Sequence, residues 1–144
     1  MPKIFIKCPE KTFSPEIKNE LASKLTTKAL HLEKIPDTPY VRSTVWIYLE
    51  EYASENVFHS GKGGGTTIVS IEIYAFKGCL DLKAKQRLIE EFTALVGTYA
   101  EMPKDRPFPI FIIIKEVEPE DWGIFGKTLT IQNIKNPPLN TPPI

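Results

Sequence analysis

The sequence predicts one α+β domain, in which a duplicated β-α-β unit forms a four-stranded mixed sheet with two helices on one face. Two observations predict it. A shift of 67 positions carries Ile4 and Ile6 onto Ile71 and Ile73, Ser14 onto Asp81, Pro36 onto Pro103, and Val45 and Ile47 onto Ile112 and Ile114. The same shift lays the apolar stripe Ile17, Leu21, Leu25, Ala29, Leu32 over Ala84, Leu88, Phe92, Val96, Tyr99. Helical spacing and strand alternation are therefore both repeated.

The elements follow in order. Residues 3–7 alternate as a strand. Ser14 then caps a helix, with Pro15 at its first position and Glu16 beside the positive end of the dipole. The stripe carries that helix to about Leu32, where Ile35-Pro36 stops it. Residues 44–50, rich in β-branched and aromatic side chains, form the second strand. In the second unit residues 67–75 are a strand, Asp81 a cap, the helix runs to about Tyr99, Met102-Pro103 is the stop, and residues 109–115 are the last strand. A helical crossover of this length makes the two strands of each unit parallel, with right-handed connections.

The predicted domain covers residues 1–126, with repeats at about 2–60 and 67–126. Gly61-Lys62-Gly63-Gly64-Gly65 reads as a flexible link between them: its spacing is wrong for a phosphate-binding loop, and it precedes a strand. Residues 127–144 read as an extended, Pro-rich tail, strand-like at first and then polyproline-like, since four of the last eight residues are proline.

A chain of 144 residues can bury roughly 68% of its unfolded surface, enough for one core. Eighteen basic and eighteen acidic residues, without long runs, give no electrostatic reason to expect nucleic acid or an anionic membrane as partner. No stretch reads as a bilayer span or a signal peptide. Cys8 and Cys79 read as reduced thiols of a cytoplasmic protein, and metal-ligand spacing is absent.

If the isoleucines face the helices, the alternate residues Phe5, Trp46, Tyr48, Tyr74, Phe111 and Ile113 face away, interleaved with Lys3, Lys7, Glu50, Glu72 and Lys115. A solvated face would not carry so many large apolar groups, and a dry core would not carry those charges unpaired. Self-association through this face is expected.

Pro2 is the most pointed residue of the chain. Once Met1 is removed, it is a secondary amine at the head of a strand, a base or nucleophile whose ring leaves no rotamers to freeze. An α-amino group titrates near pKa ~8; apolar surroundings or a nearby cation lower that and leave a working base at neutral pH.

Pro2, the duplication, and Glu120-Asp121-Trp122-Gly123-Ile124-Phe125-Gly126 after the last strand together resemble the tautomerase superfamily. The chain is similar to 4-oxalocrotonate tautomerase, a single β-α-β unit, and more so to double-length relatives of the cis-3-chloroacrylic acid dehalogenase subgroup. Asn56-Val57-Phe58, Thr67-Ile68 and Asp81-Leu82-Lys83 resemble the middle segment of that subgroup. The resemblance covers residues 2 to about 126. It implies the tautomerase/MIF-like fold, a homotrimer, no cofactor, and an amino-terminal proline acting on a small keto or unsaturated carboxylic acid.

Carried over residue by residue, the resemblance makes Pro2 the catalytic residue and Trp122 the aromatic wall. The second-strand arginine of the tautomerase falls on Thr44 or Phe111 and is missing; Arg42, two residues before Thr44, is the substitute expected on the same strand face, with Lys115 or Lys77 behind it. The dehalogenase arginines fall on Ala75 and Gly78, its helix histidine on Ala29, and its tyrosine and water-activating glutamate on Ile113 and Ile124. Hydrolytic dehalogenation is therefore not expected. The expected activity is keto–enol tautomerisation with Pro2 as base, Arg42 and Lys115 binding the carboxylate, and Trp122, with Phe58 or Phe125, excluding water. Two alternatives stay open: a hydratase or decarboxylase in which Pro2 is an acid, and a trimer that kept the fold without catalysis.

Overall fold

Strand β1 (Lys3–Pro9) opens the fold in the computed structural model, which describes residues 2–64, 67–137 and 141–144. Met1, on whose removal the release of Pro2 turns, lies outside the described residues, as do Gly65 and Thr66 of the link and Pro138, Leu139 and Asn140 of the tail. After β1 come α1 (Pro15–Leu32), α2 (Pro39–Ser43), β2 (Trp46–Tyr52), β3 (Phe58–His59) and β4 (Lys62–Gly63). The second half holds β5 (Val69–Phe76), α3 (Leu82–Tyr99), β6 (Ile110–Val117), β7 (Gly123–Ile124), β8 (Lys127–Thr128) and α4 (Ile131–Lys135).

The main sheet has the order β2-β1-β5-β6. β1 is parallel to β2 and antiparallel to β5, and β5 is parallel to β6, so each unit contributes a parallel pair and the units meet antiparallel at the centre. Both expected caps form: Ser14 Oγ accepts from Ile17 N at 3.3 Å, and Asp81 Oδ1 from Ala84 N at 2.7 Å. The two long helices lie side by side, tied by Lys28 Nζ to Glu91 Oε2 at 2.7 Å.

One face of the sheet and the helix stripes form the main core. Ile4, Ile6, Ile71 and Ile73 pack with Leu21, Leu25, Ala29, Leu88, Phe92 and Val96, all buried. Burial of each such Leu, Ile or Phe side chain is worth roughly 1.5–3 kcal/mol. A second cluster of Leu30, Ile35, Val41, Val45, Phe76, Cys79 and Ile134 joins the end of α1 to α2, β5 and α4.

Three expectations need correction. The second strand starts at Trp46, because Thr38 caps a short helix in which Pro39 takes the first position and Arg42 the last turn. Arg42 is therefore helical and does not lie on the strand face of Thr44. The extra turn also changes the repeat. Register pairs Ile4 with Ile47 and Ile71 with Ile112, so Ile47 is equivalent to Ile112 and the shift falls from 67 to 65 after the helices.

The link is partly a hairpin, β3–β4, turned by Ser60 (φ 53°) and Gly61 (φ 75°). It has a twin in β7–β8, turned by Phe125 (φ 52°) and Gly126 (φ 74°). Two successive left-handed residues are what a tight two-residue hairpin demands.

Nor is the tail extended from residue 127. Thr130 and Asn133 cap each other's backbone N–H groups at 3.1 Å, starting α4, and Ile134 is buried in the second cluster. Ile131 and Ile134 are spaced for one face of a helical turn, a signal masked by the alternation of Leu129 with Ile131. The end of the chain returns to the fold, where Ile144 N donates to Ser43 Oγ at 3.0 Å.

Gly97 lies inside α3 where a Cβ would overlap the ring of Phe108. Ala has the better helix propensity by ~1 kcal/mol, but overpacking costs roughly 1–3 kcal/mol. Gly97→Ala is therefore expected to lower the urea midpoint at unchanged m; an unchanged or higher midpoint would show that Phe108 gives way freely.

Candidate active site

The register of β1 decides what surrounds Pro2. Lys3 lies opposite Trp46 on one side and Tyr74 on the other, and Phe5 opposite Tyr48 and Glu72. The outward row at the head of β1 is thus Trp46, Lys3, Tyr74, Lys115. The hairpin β7–β8 stands beside that row, and a cavity of about 640 Å³ opens between them. Pro2 is buried and lines it, together with Lys3, Phe5, Thr44, Trp46, Tyr74 and Val117 from the sheet side and Asp121, Trp122, Gly123, Ile124 and Phe125 from the hairpin side.

Trp122 is placed by packing. Its ring meets Phe76 at a centroid distance of 4.5 Å, tilted 33°, and joins the second core cluster. Leu129 N donates to Trp122 O at 3.1 Å, so the hairpin and its tryptophan are held as one piece. Across the sheet, Phe5 stacks on Tyr48 at 4.9 Å and meets Tyr74 edge-on at 5.8 Å. The cavity wall is largely aromatic, and most of it belongs to well-packed elements.

The expected site residues separate into two groups. Pro2 and Trp122 share the cavity, and Phe125 joins them on the hairpin. Arg42 does not line it: the guanidinium binds Asp37 at 2.9 Å, Thr27 Oγ1 at 2.9 Å and the Ser23 carbonyl at 3.3 Å, clamping α2 to α1. Lys115 is one strand beyond Tyr74, where its Nζ donates to Glu72 at 2.6 Å and to the Tyr74 hydroxyl at 3.1 Å. The Glu72 partner raises the Lys115 ammonium above its ordinary range, and Lys115 in turn lowers Glu72. Lys77 is paired with Glu118, and Phe58 is exposed on β3, outside the cavity lining.

Sequence reasoning missed Lys3 and Asp121 as cavity residues and Glu33 as a buried one. Lys3 was legible in part, since it follows Pro2 and alternates outward with Phe5. Asp121 needed the hairpin geometry. Glu33 caps the C-terminus of α1 and is 1% exposed. Burial pushes its carboxyl up. A helix-end glutamate reads as solvated from sequence, and only the tertiary structure makes it internal.

Residues 70–131, from β5 to the start of α4, match the family model described as tautomerase enzyme. No curated protein matches the chain. Among solved structures the chain is similar to a wild-type fused 4-OT described as an asymmetric trimer, at 21% identity and a TM-score of 0.73, over 88% of this chain and 94% of that one. It is similar to a member of the cis-3-chloroacrylic acid dehalogenase family at 19% identity and a TM-score of 0.73, over 89% of this chain and 83% of the other. It is also similar to macrophage migration inhibitory factor of Toxoplasma gondii, at 16% identity and a TM-score of 0.69, over 88% and 99%. At such identities the structural likeness is one of fold.

The Arg42–Asp37 pair is partly exposed and worth about 0–1 kcal/mol. Arg42→Ala is expected to cost no more than that in stability. It should leave kcat/KM for a substrate turned over in the cavity within about twofold, since a surface pair touches nothing that reacts. Loss of an order of magnitude in kcat/KM would bring the guanidinium into the site.

Proposed function

The chain has the double-length fold of the tautomerase superfamily and carries that family's segment over residues 70–131, and from this premise we propose that it is a cofactor-independent tautomerase whose base is the amine of Pro2. The observation that carries the reading is the placement of Pro2: buried, at the head of a strand hydrogen-bonded on both sides, and on the wall of an aromatic cavity. With Met1 removed, the ring nitrogen is held by the strand and needs no conformational change to act. Trp122, Trp46, Phe5 and Ile124 line the same cavity with apolar surface, which favours the neutral amine.

The proposed step needs no co-reactant. The amine takes the proton of an enol oxygen as the electron pair moves to form the carbonyl, and the proton is returned to the carbon end of the enol. Substrate and product are isomers, and the chemistry is general base followed by general acid at one nitrogen. A second reading rests on Asp121, whose carboxylate shares the cavity and favours a charged amine; Pro2 would then serve as the acid of a hydratase or decarboxylase.

Alkylation by a 3-halopropiolate is expected to label Pro2 alone, once per subunit, and to abolish activity. Pro2→Ala keeps an amine but loses the fixed ring and should lower kcat by ~10²-fold or more. If the amine is depressed below neutrality, the labelling rate is level above pH 7. If it is raised, the rate climbs with pH until the amine is deprotonated, which marks Pro2 as an acid. Unlabelled Pro2 with full activity would locate the chemistry elsewhere.

We also propose a trimer. The outward sheet face leaves Trp46, Tyr48, Phe111 and Ile113 between 41% and 66% exposed, beside the Lys115–Glu72 pair. Light scattering at micromolar concentration is expected to give the mass of three chains; a monomer would leave that face without a purpose. A reducing, cytoplasmic setting suits two buried free thiols, of which burial and Glu51 push Cys8 up to about 11. No helix among the described residues is long and apolar enough to cross a membrane.

A further inference from the structure

Resting on the proposed proline-based site, we infer that Lys3 is its carboxylate-binding residue and that the cavity selects flat, unsaturated monocarboxylates over dicarboxylates. Among the described residues Lys3 is the one cation on the lining and Asp121 the one anion. Elsewhere Lys7, Lys18, Lys28, Arg42, Lys77, Lys85 and Lys115 each pair with a carboxylate. Lys3 makes no ion pair among the described residues. Its Nζ instead lies 5.3 Å from the ring centroids of both Phe5 and Tyr48.

That difference matters chemically. A carboxylate partner cancels an ammonium, whereas ring faces hold it by their quadrupoles and leave its charge available to an anion. Lys3 is also the residue after Pro2, so a carboxylate on its ammonium brings the rest of a short acid to the amine side of the cavity. Trp46 and Tyr74 flank Lys3 across the strands, and Trp122 faces them from the hairpin. These are broad, flat surfaces that suit a conjugated skeleton. Asp121 shares the cavity and makes no ion pair among the described residues, and a second carboxylate entering the cavity meets like charge there.

The two tryptophans of the chain, Trp46 and Trp122, both line the cavity, so intrinsic fluorescence reports its occupancy without turnover. The test titrates the full chain with 2,4-hexadienoate and with 2,4-hexadienedioate, which share a skeleton and differ by one carboxylate. The monoacid is expected to bind about tenfold tighter or more. Lys3→Met, which keeps the apolar stem, should weaken the monoacid by about tenfold or more, while Lys3→Arg should retain most of its affinity. Asp121→Asn should narrow the gap by improving the diacid. Circular dichroism and urea unfolding of each variant separate lost binding from lost fold.

The proposal is overturned if Lys3→Met binds the monoacid as the parent does, if the diacid is the tighter ligand, or if neither acid changes the fluorescence. Repeating the titrations on Pro2→Ala keeps the two readings apart. Selectivity that persists in Pro2→Ala shows that recognition stands without the base, and a parent protein that binds selectively but turns nothing over removes the proposed chemistry and leaves the recognition. Turnover that ignores Lys3 does the reverse.

Discussion

Everything distinctive about this molecule depends on β1 being hydrogen-bonded along both edges. Its neighbours are β2, parallel, and β5, antiparallel. An edge strand can slip in register, and a slip of one residue would turn every side chain to the other face. A central strand with Ile4 and Ile6 buried under two helices cannot. Pro2 is therefore held at one point in space by the most constrained element of the fold, and Lys3 and Phe5 must face outward.

A second constraint meets the first at the cavity. The cluster around Phe76 and Ile134 is small, yet it determines where Trp122 stands. The duplication supplies two hairpins, but only the second is buttressed in this way. Its twin β3–β4 exposes Phe58, and the equivalent of Pro2 under the 67-residue shift is Val69, an internal residue with no free amine. Duplication thus leaves one proline on the cavity wall and one structural echo. The two residues added before β2, which form part of α2, close the second cluster and draw Arg42 away from the strand face.

Charge is distributed with the same asymmetry. Among the described residues nine basic side chains are matched by carboxylates, on neighbouring strands, helices and loops or one helical turn away, and pairs so exposed contribute little to stability. The cavity departs from that pattern, with an aromatic wall, one ammonium over ring faces, and one carboxylate on the turn before the hairpin. The buried carboxyl of Glu33, raised by its loss of solvent, is a further departure.

The sequence by itself determined the duplication, both long helices with their caps, the parallel pairs and the inward isoleucines. These depend on local periodicity and on cap chemistry, which are written in consecutive residues. It also pointed to Pro2, at a strand head, and through the family resemblance to Trp122, and both line the cavity. Tertiary structure alone decided the rest. Arg42 left the strand because Thr38 and Pro39 start a helix; residues 131–135 became helical because Ile134 had a pocket to fill; and Lys3, not Arg42 or Lys115, became the cation of the cavity. That choice depends on which carboxylates lie within reach, a question of distance across strands that spacing along the chain does not encode.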